Sequence, residues 1–132
     1  MKTLLLSIIA VLGISIQAAQ AAPLTAETAG KLMSKSGCTT CHAVDKDKIG
    51  PAYNAVAKRY AAPSPEVLAY LKGEKPADYL VKKVRSGTKL NLNKNWLKSA
   101  AGKPYGMMTP HSEKKISDEN LKELIAYILA IK

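Results

Sequence analysis

Two cysteines stand three positions apart and are followed at once by a histidine, in the run C-T-T-C-H over residues 38–42. This C-x-x-C-H spacing is the attachment pattern of a c-type haem, in which two thiols add to the two vinyl groups of one porphyrin. The adjacent imidazole then lies beneath the ring and binds iron. A chain that carries such an apolar plate must build its core around it, so this motif constrains the fold more than any other feature.

Cys38 and Cys41 are the only cysteines in the sequence, which limits the other interpretations of the motif. A thioredoxin-like dithiol needs a βαβ context, and no strand-like alternation surrounds these residues. A structural zinc site needs four ligands, whereas the remaining candidates are only the adjacent His42 and the distant His111. A disulfide across so small a loop would stabilise little. The sequence therefore predicts one covalent haem c with its iron, held by Cys38 and Cys41 and ligated by His42.

The first 21 residues have the composition of a secretory signal peptide. Lys2 supplies a positive charge, residues 4–16 form an apolar core, and the A-Q-A run at 19–21 places small residues where signal peptidase reads them. The apolar core is shorter than the ~20 residues of a membrane-spanning helix, so we expect cleavage rather than anchoring. Residues 1–21 are thus predicted to be a removed signal peptide, residues 22–132 a single mature domain, and the periplasm its location.

The chain is strongly basic, with 20 Lys+Arg against 10 Asp+Glu. Removing the signal peptide takes away Lys2 and leaves 19 basic against 10 acidic residues, a net charge of +9, which two ionised haem propionates lower to about +7. An exported protein is not expected to meet nucleic acid, so the excess charge predicts acidic protein partners or anionic surfaces. The alternative is an ordinary solvated face; the candidate docking lysines are Lys46, Lys48, Lys94 and Lys103.

Capping residues and apolar spacing predict helices joined by loops, with no internal repeat. Ser and Thr side chains suit helix N-caps, and proline suits the first turn of a helix. The predicted helices run from Thr25 to about Lys35, from Pro51 through Tyr60, from Ser64 to near Gly73, from Pro76 to Gly87, and from Ser117 through Leu129. Residues 88–116 are predicted to be a long irregular stretch, and loops of that length are usually functional or disordered.

The second axial position of the iron decides between electron transfer and ligand binding. The candidates for it are Met107, Met108 and His111, all in the irregular stretch before the last helix, whereas Met33 lies on the first helix and is expected in the core. A neutral thioether favours Fe(II) and raises the reduction potential, which suits an electron carrier. Of the two neighbouring methionines, one is expected to ligate and the other to pack against the ring.

These features together resemble the small bacterial class I c-type cytochromes. The resemblance covers essentially the whole mature chain and is most specific at residues 37–45, G-C-T-T-C-H-A-V-D, and at residues 49–53, I-G-P-A-Y. It implies an all-α, cytochrome c-like fold of about five short helices wrapped around one haem. In that family the proline after the glycine lends its carbonyl to the ring N–H of the proximal histidine, which assigns this role to Pro51 and orients His42.

The resemblance also favours Met108 over Met107 as the axial ligand. The family's methionine typically lies in a Met-Pro-Pro or Met-Thr-type turn a few residues before a Ser-Asp helix start, and the M-T-P run at 108–110 matches this pattern. In several relatives a tryptophan shortly before the methionine bonds a haem propionate. Trp96 lies further upstream than that, so Trp96 and Tyr105 are both named as candidate haem contacts.

The family also crosses its first and last helices at a glycine, which packs against a leucine and an aromatic residue three positions apart. Gly30, Leu124 and Tyr127 supply that pattern here, and a glycine would let the two backbones approach closely. The chain departs from the family in having no Phe, so that Ser34 takes the place of an aromatic residue. The loop before the methionine pair is also longer than in the smallest members.

The resemblance implies a soluble, periplasmic, monohaem electron carrier and no enzyme. It further implies a monomer that meets redox proteins with acidic docking surfaces and has no membrane span in its mature chain. The alternative is a haem protein with a labile or absent sixth ligand, active in gas binding or peroxidase-like chemistry. A third possibility is a dedicated subunit of a larger respiratory complex.

Overall fold

The computed structural model of the protein describes residues 22–88 and 105–132. Five α-helices and one short 3-10 turn follow one another along these ranges: α1 Ala26–Lys35, the turn Cys38–Thr40, α2 Tyr53–Tyr60, α3 Pro65–Leu71, α4 Pro76–Ser86 and α5 Asp118–Leu129. Within the described ranges, the only strand-like pairing is an isolated antiparallel bridge between Thr88 and Met108. The structure therefore confirms the all-α prediction and the five expected helices.

The predicted N-caps are confirmed at three helices. The Thr25 hydroxyl accepts a hydrogen bond from the backbone N–H of Thr28 at 3.2 Å, and the Thr28 hydroxyl accepts one from the N–H of Thr25 at 2.9 Å. This reciprocal pair satisfies backbone donors that the first turn of α1 leaves unpaired. The hydroxyls of Ser64 and Ser117 likewise accept from the backbone three residues on, at the starts of α3 and α5.

Two of the helices end at a residue with positive φ. α4 stops at Gly87, whose φ of +69° suits glycine and turns the chain toward Thr88. A β-carbon at Gly87 would press against the Met108 carbonyl and the Pro110 ring. α3 stops at Lys72 with φ of +51°, the only non-glycine residue with positive φ in the described ranges, and Gly73 continues the turn.

The prediction that a helix begins at Pro51 is wrong, because α2 begins at Tyr53. Ala52 is the N-cap residue and has extended backbone, with φ −60° and ψ 144°. The N–H of Ala52 donates to the Asp47 carboxylate at 3.0 Å, and the carbonyl of Pro51 accepts from the His42 ring at 2.8 Å. These contacts hold residues 51 and 52 outside the helix, so Pro51 belongs to the loop that carries the histidine.

The expected close helix crossing at Gly30 is also wrong. A β-carbon built at Gly30 would meet nothing within 4 Å, so no backbone approaches it closely. The neighbouring Ala29 is the small residue that α1 buries, at 0% exposure. α1 and α5 do contact each other, and Leu124 is buried as expected while Tyr127 is half-buried.

The core lies between α5 and the helices that pack on it, α1, α2 and α4. Met33 is buried there, as predicted. No helix in the described part of the chain is both long and apolar enough to span a bilayer. The predicted signal peptide, residues 1–21, lies outside the described residues, as do Lys94, Trp96 and Lys103.

Candidate functional site

The turn after α1 carries the two thiols and the imidazole of the C-x-x-C-H run. Gly37 has φ of +79° and reverses the chain, and the backbone N–H groups of Cys41 and His42 then both bond to the Cys38 carbonyl, at 3.2 and 3.0 Å. Cys38 and Cys41 are half-buried and form no disulfide. All three side chains line one cavity of about 380 Å³. The local turn thus delivers the three chemically active groups of the motif to a single site.

The orientation of His42 is set by the loop that follows it. Its Nδ1 lies 2.8 Å from the carbonyl oxygen of Pro51. A carbonyl can only accept, so Nδ1 carries the hydrogen and the lone pair of the neutral ring lies on Nε2. Burial lowers the pKa of His42 below its ordinary value, and the bond to Pro51 opposes this only in part. His42 is therefore a neutral imidazole with Nε2 available to a metal.

Gly50 and Tyr53 hold the remaining sides of that ring. The Tyr53 ring stacks on the imidazole with centroids 5.2 Å apart and planes inclined by 18°. A β-carbon at Gly50 would lie only 2.9 Å from both Nδ1 and Nε2 of His42. Burial raises the pKa of the Tyr53 phenol, and the neighbouring Cys38 thiol raises it further. The roles of Gly50 and Tyr53 were not predicted, although both stand in the I-G-P-A-Y run.

The rest of the cavity wall is mainly aliphatic. It is contributed by α2, α4, the segment before α5 and α5 itself, through Val56, Leu80, Val84, Ile116, Leu121, Leu124, Ile125 and Ile128. The Ser36 hydroxyl on the same wall is buried and has no hydrogen-bond partner among the described residues. Two thiols, one neutral imidazole and an apolar wall are the groups that a covalently attached haem needs, so the residues present fit that cofactor.

The methionine pair also reaches this cavity, and Met108 is the more firmly held of the two. Thr88 donates its backbone N–H to the Met108 carbonyl at 2.9 Å, and its hydroxyl accepts from the Met108 N–H at 3.0 Å. Met108 is half-buried, whereas Met107 is 56% exposed. His111 lines the same cavity. The structure thus brings together all three sequence-predicted candidates for the sixth ligand. The clamp from Thr88 was not predicted, because nothing in the local sequence marks it.

Tyr105 ties the segment before the methionines to the loop after His42. Its ring is buried and lines the cavity. Burial, together with a hydrogen bond from its hydroxyl to the Asp47 carboxylate, raises the pKa of Tyr105 to about 12. Next to it, the N–H of Gly106 donates to the Ile49 carbonyl at 3.0 Å. The other predicted haem contact, Trp96, lies outside the described residues.

Comparison with known proteins gives concordant matches. The cytochrome c family matches this chain over residues 26–132. The chain is 31% identical over 103 residues to cytochrome c-552 of Hydrogenobacter thermophilus, covering 77% of this chain and 80% of that protein. It is 31% identical over 103 residues to cytochrome c2 of Rubrivivax gelatinosus, covering 77% and 95% respectively. The crystal structure of wild-type Nitrosomonas europaea cytochrome c552 aligns with a TM-score of 0.53 and 26% identity, over 78% of this chain and 99% of that one.

These matches confirm several predictions made from the sequence. They confirm the all-α cytochrome c fold, the covalent haem c with its iron, and a role in electron transfer rather than in enzyme catalysis. The cavity agrees with them, because Cys38, Cys41 and His42 of the attachment motif share it with aliphatic side chains of α2, α4 and α5. The chain belongs to the cytochrome c family, and it is a small class I c-type cytochrome that carries electrons on haem.

Proposed function

We propose that this cytochrome is a periplasmic one-electron carrier with His/Met axial ligation, exported with residues 1–21 as a cleaved signal peptide and residues 22–132 as its haem domain. The observation that carries the proposal is that Cys38, Cys41, His42 and Met108 all line one apolar cavity. The bound haem iron supplies a reversible Fe(III)/Fe(II) couple. The surrounding side chains hold that group, exclude water and set its potential.

On the proximal side, Cys38 and Cys41 are the proposed thioether attachments and His42 the proposed ligand through Nε2. The hydrogen bond from Nδ1 to Pro51 supports this assignment, because such a partner fixes the tautomer and the ring direction of a ligating histidine. The same bond makes the imidazole a better electron donor to the metal. Pro51 therefore acts on the iron only through His42.

On the distal side, Met108 is the proposed ligand. The Met108 N–H bonds the Thr88 hydroxyl and the Met108 carbonyl bonds the Thr88 N–H, which holds Met108 at the cavity, whereas the Met107 side chain is more exposed. A thioether ligand stabilises Fe(II) and raises the reduction potential, as an electron carrier requires. Tyr105 and Trp96 are the proposed haem contacts; Tyr105 lies in the cavity wall and supports its part of this proposal.

The proposed docking surface is the rim of the cavity between the two ligand segments. Ile49 and Met107 both line the cavity and are 54% and 56% exposed. Lys46 and Lys48 lie exposed in the same loop as Ile49, and the Lys48 ammonium bonds the Thr39 carbonyl inside the motif. An apolar rim with flanking lysines favours a small, transient, salt-sensitive contact of the monomer with acidic redox partners.

The ligand assignment is tested in the haem-loaded protein by comparing Met108→Ala with the matched control Met107→Ala. Oxidised Met108→Ala is expected to lose the weak long-wavelength iron–sulfur absorption band and to fall in potential, because the thioether ligand is gone. Met107→Ala is expected to keep both properties. Retention of the band by Met108→Ala, or its loss in Met107→Ala, contradicts the assignment.

A second measurement separates this function from gas binding or peroxidase-like chemistry. A carrier whose axial positions are both filled is expected to bind CO slowly and weakly when reduced at neutral pH. Ready CO binding by the unaltered protein contradicts the proposal and favours a labile sixth ligand. Gel filtration of native extract adds the oligomeric state, since a free carrier elutes at monomer size and a subunit of a respiratory complex elutes far earlier.

A further inference from the structure

The rings of the two histidines of the sequence make the same kind of hydrogen bond to a backbone carbonyl. His42 places Nδ1 2.8 Å from the Pro51 carbonyl, and His111 places Nδ1 2.8 Å from the Thr109 carbonyl. Since a carbonyl can only accept, each ring carries its hydrogen on Nδ1 and leaves the lone pair of the neutral form on Nε2. Both rings line the same cavity, and they are close enough for a charge on His111 to lower the pKa of His42.

The backbone of His111 is anchored independently of Met108. The N–H of His111 donates to the Val84 carbonyl at 3.0 Å, and its carbonyl accepts from Nη1 of Arg85 at 2.9 Å. Nε of Arg85 donates in turn to the Asp118 carboxylate at 3.1 Å, at the start of α5. His111 therefore stays attached to α4 and α5 when the methionine side chain moves.

The other nitrogen donors of the cavity are less suited to iron. Lys83 and Lys115 also line it, but the ammonium group of a lysine has three donors and no lone pair. The neighbouring sulfur of Met107 is on a largely exposed side chain. Of Lys83, Lys115 and His111, only the neutral imidazole of His111 offers a nitrogen lone pair without first losing a proton.

We propose that His111 is a reserve axial ligand, which takes the distal position of the iron through Nε2 whenever Met108 leaves it. This inference rests on the proposed function, in which Met108 is the resident ligand. The exchange replaces a thioether by an imidazole, which lowers the reduction potential and keeps the iron low-spin. It also keeps the distal position closed to external ligands, so that loss of the methionine does not turn the carrier into an open haem protein.

The test uses three haem-loaded variants: Met108→Ala, Met108→Ala/His111→Ala and, as the matched control, Met108→Ala/Lys115→Ala. Electron paramagnetic resonance and near-infrared magnetic circular dichroism report the spin state and the ligand atoms. Met108→Ala and the Lys115 control are expected to be low-spin with two imidazole ligands. The His111 double variant is expected to be high-spin and, when reduced, to bind CO at least about tenfold more tightly than Met108→Ala, because no internal ligand competes.

Two additions keep the test decisive. Added imidazole is expected to return the His111 double variant to the low-spin spectrum, which shows that its fold and cavity are intact. His111→Ala alone is expected to keep the iron–sulfur band. A high-spin Met108→Ala variant, or loss of the low-spin state in the Lys115 control, overturns the role of His111 while leaving Met108 as ligand. An iron–sulfur band that survives in Met108→Ala instead overturns the proposed ligation itself.

Discussion

The ring of His42 lies directly against the backbone of Gly50, with Nδ1 and Nε2 each 2.9 Å from the position that a β-carbon would occupy there. Pro51 fixes the same ring by a hydrogen bond, and Tyr53 stacks on it. The imidazole is therefore in contact with three residues of one short run, which leave the ring little room to move. A side chain at position 50 and the observed orientation of His42 exclude each other.

Gly50→Ala is accordingly expected to displace the proximal imidazole. Overpacking of this kind costs typically about 1–3 kcal/mol of unfolding free energy, and here it also alters the bond between His42 and Pro51. We expect a lower denaturation midpoint together with a changed reduction potential, measured by voltammetry on the haem-loaded protein. A variant with unchanged stability and potential would show that the ring does not rest on Gly50.

Gly30→Ala is the matched control and a prediction in itself. Gly30 is exposed in the middle of α1, and a β-carbon there meets nothing within 4 Å. Alanine is favoured over glycine inside a helix by about 1 kcal/mol, so denaturant unfolding should show a stabilisation of that order with no change in potential. Clear destabilisation would instead support the close crossing of the first and last helices that the family resemblance implies.

Lys72→Gly is expected to stabilise the protein. Lys72 ends α3 with φ of +51°, a conformation that costs a residue with a β-carbon roughly 1 kcal/mol and costs glycine little. Lys58→Gly, at an exposed position inside α2, is the opposite control and should destabilise by about 1 kcal/mol. Equal effects of the two substitutions in urea unfolding would contradict the left-handed end of α3.

Tyr105→Phe tests the bond between the distal segment and Asp47. At neutral pH the unfolding free energy of the variant should be lower by about 1.5 kcal/mol, which is what a hydrogen bond to a charged group typically contributes. The pKa of Tyr105 is raised from its ordinary value of 10 to about 12, so the native state holds this proton more tightly than the unfolded chain does. The stabilisation of the native state by protonated Tyr105 is therefore complete below pH 10 and is lost as pH rises through about 12. A stability difference from the unaltered protein that stays constant across this range would contradict the contact.

Local chemistry explains which parts of the fold were predictable. A hydroxyl cap acts on backbone groups only a few residues away, so the sequence predicts the helix starts at Thr25, Ser64 and Ser117. The glycine that ends α4 acts just as locally. The start of α2 differs from the prediction because Pro51 suits a first helical turn, whereas two hydrogen bonds keep the chain extended there. The Pro51 carbonyl accepts from His42, and the Ala52 N–H donates to Asp47. Those contacts join different segments and leave no periodic signal.

The candidate site likewise has a part that the sequence predicts and a part that it does not. Covalent attachment depends on the spacing of Cys38, Cys41 and His42, which is visible in the sequence, whereas the clamp of Thr88 on Met108 joins residues twenty positions apart. The burial of Ala29 instead of Gly30 is likewise decided by how α1 rotates in the assembled protein. These contacts depend on how the helices pack together, and the residue pattern alone does not determine that packing.

The mass of the mature, exported protein after denaturation and extraction with acidic acetone tests covalent haem attachment. We expect the colour to stay with the polypeptide, and a mass equal to residues 22–132 plus one haem, because two thioether bonds survive that treatment. A colourless polypeptide with the mass of the bare chain would contradict covalent attachment through Cys38 and Cys41, and with it the proposed site.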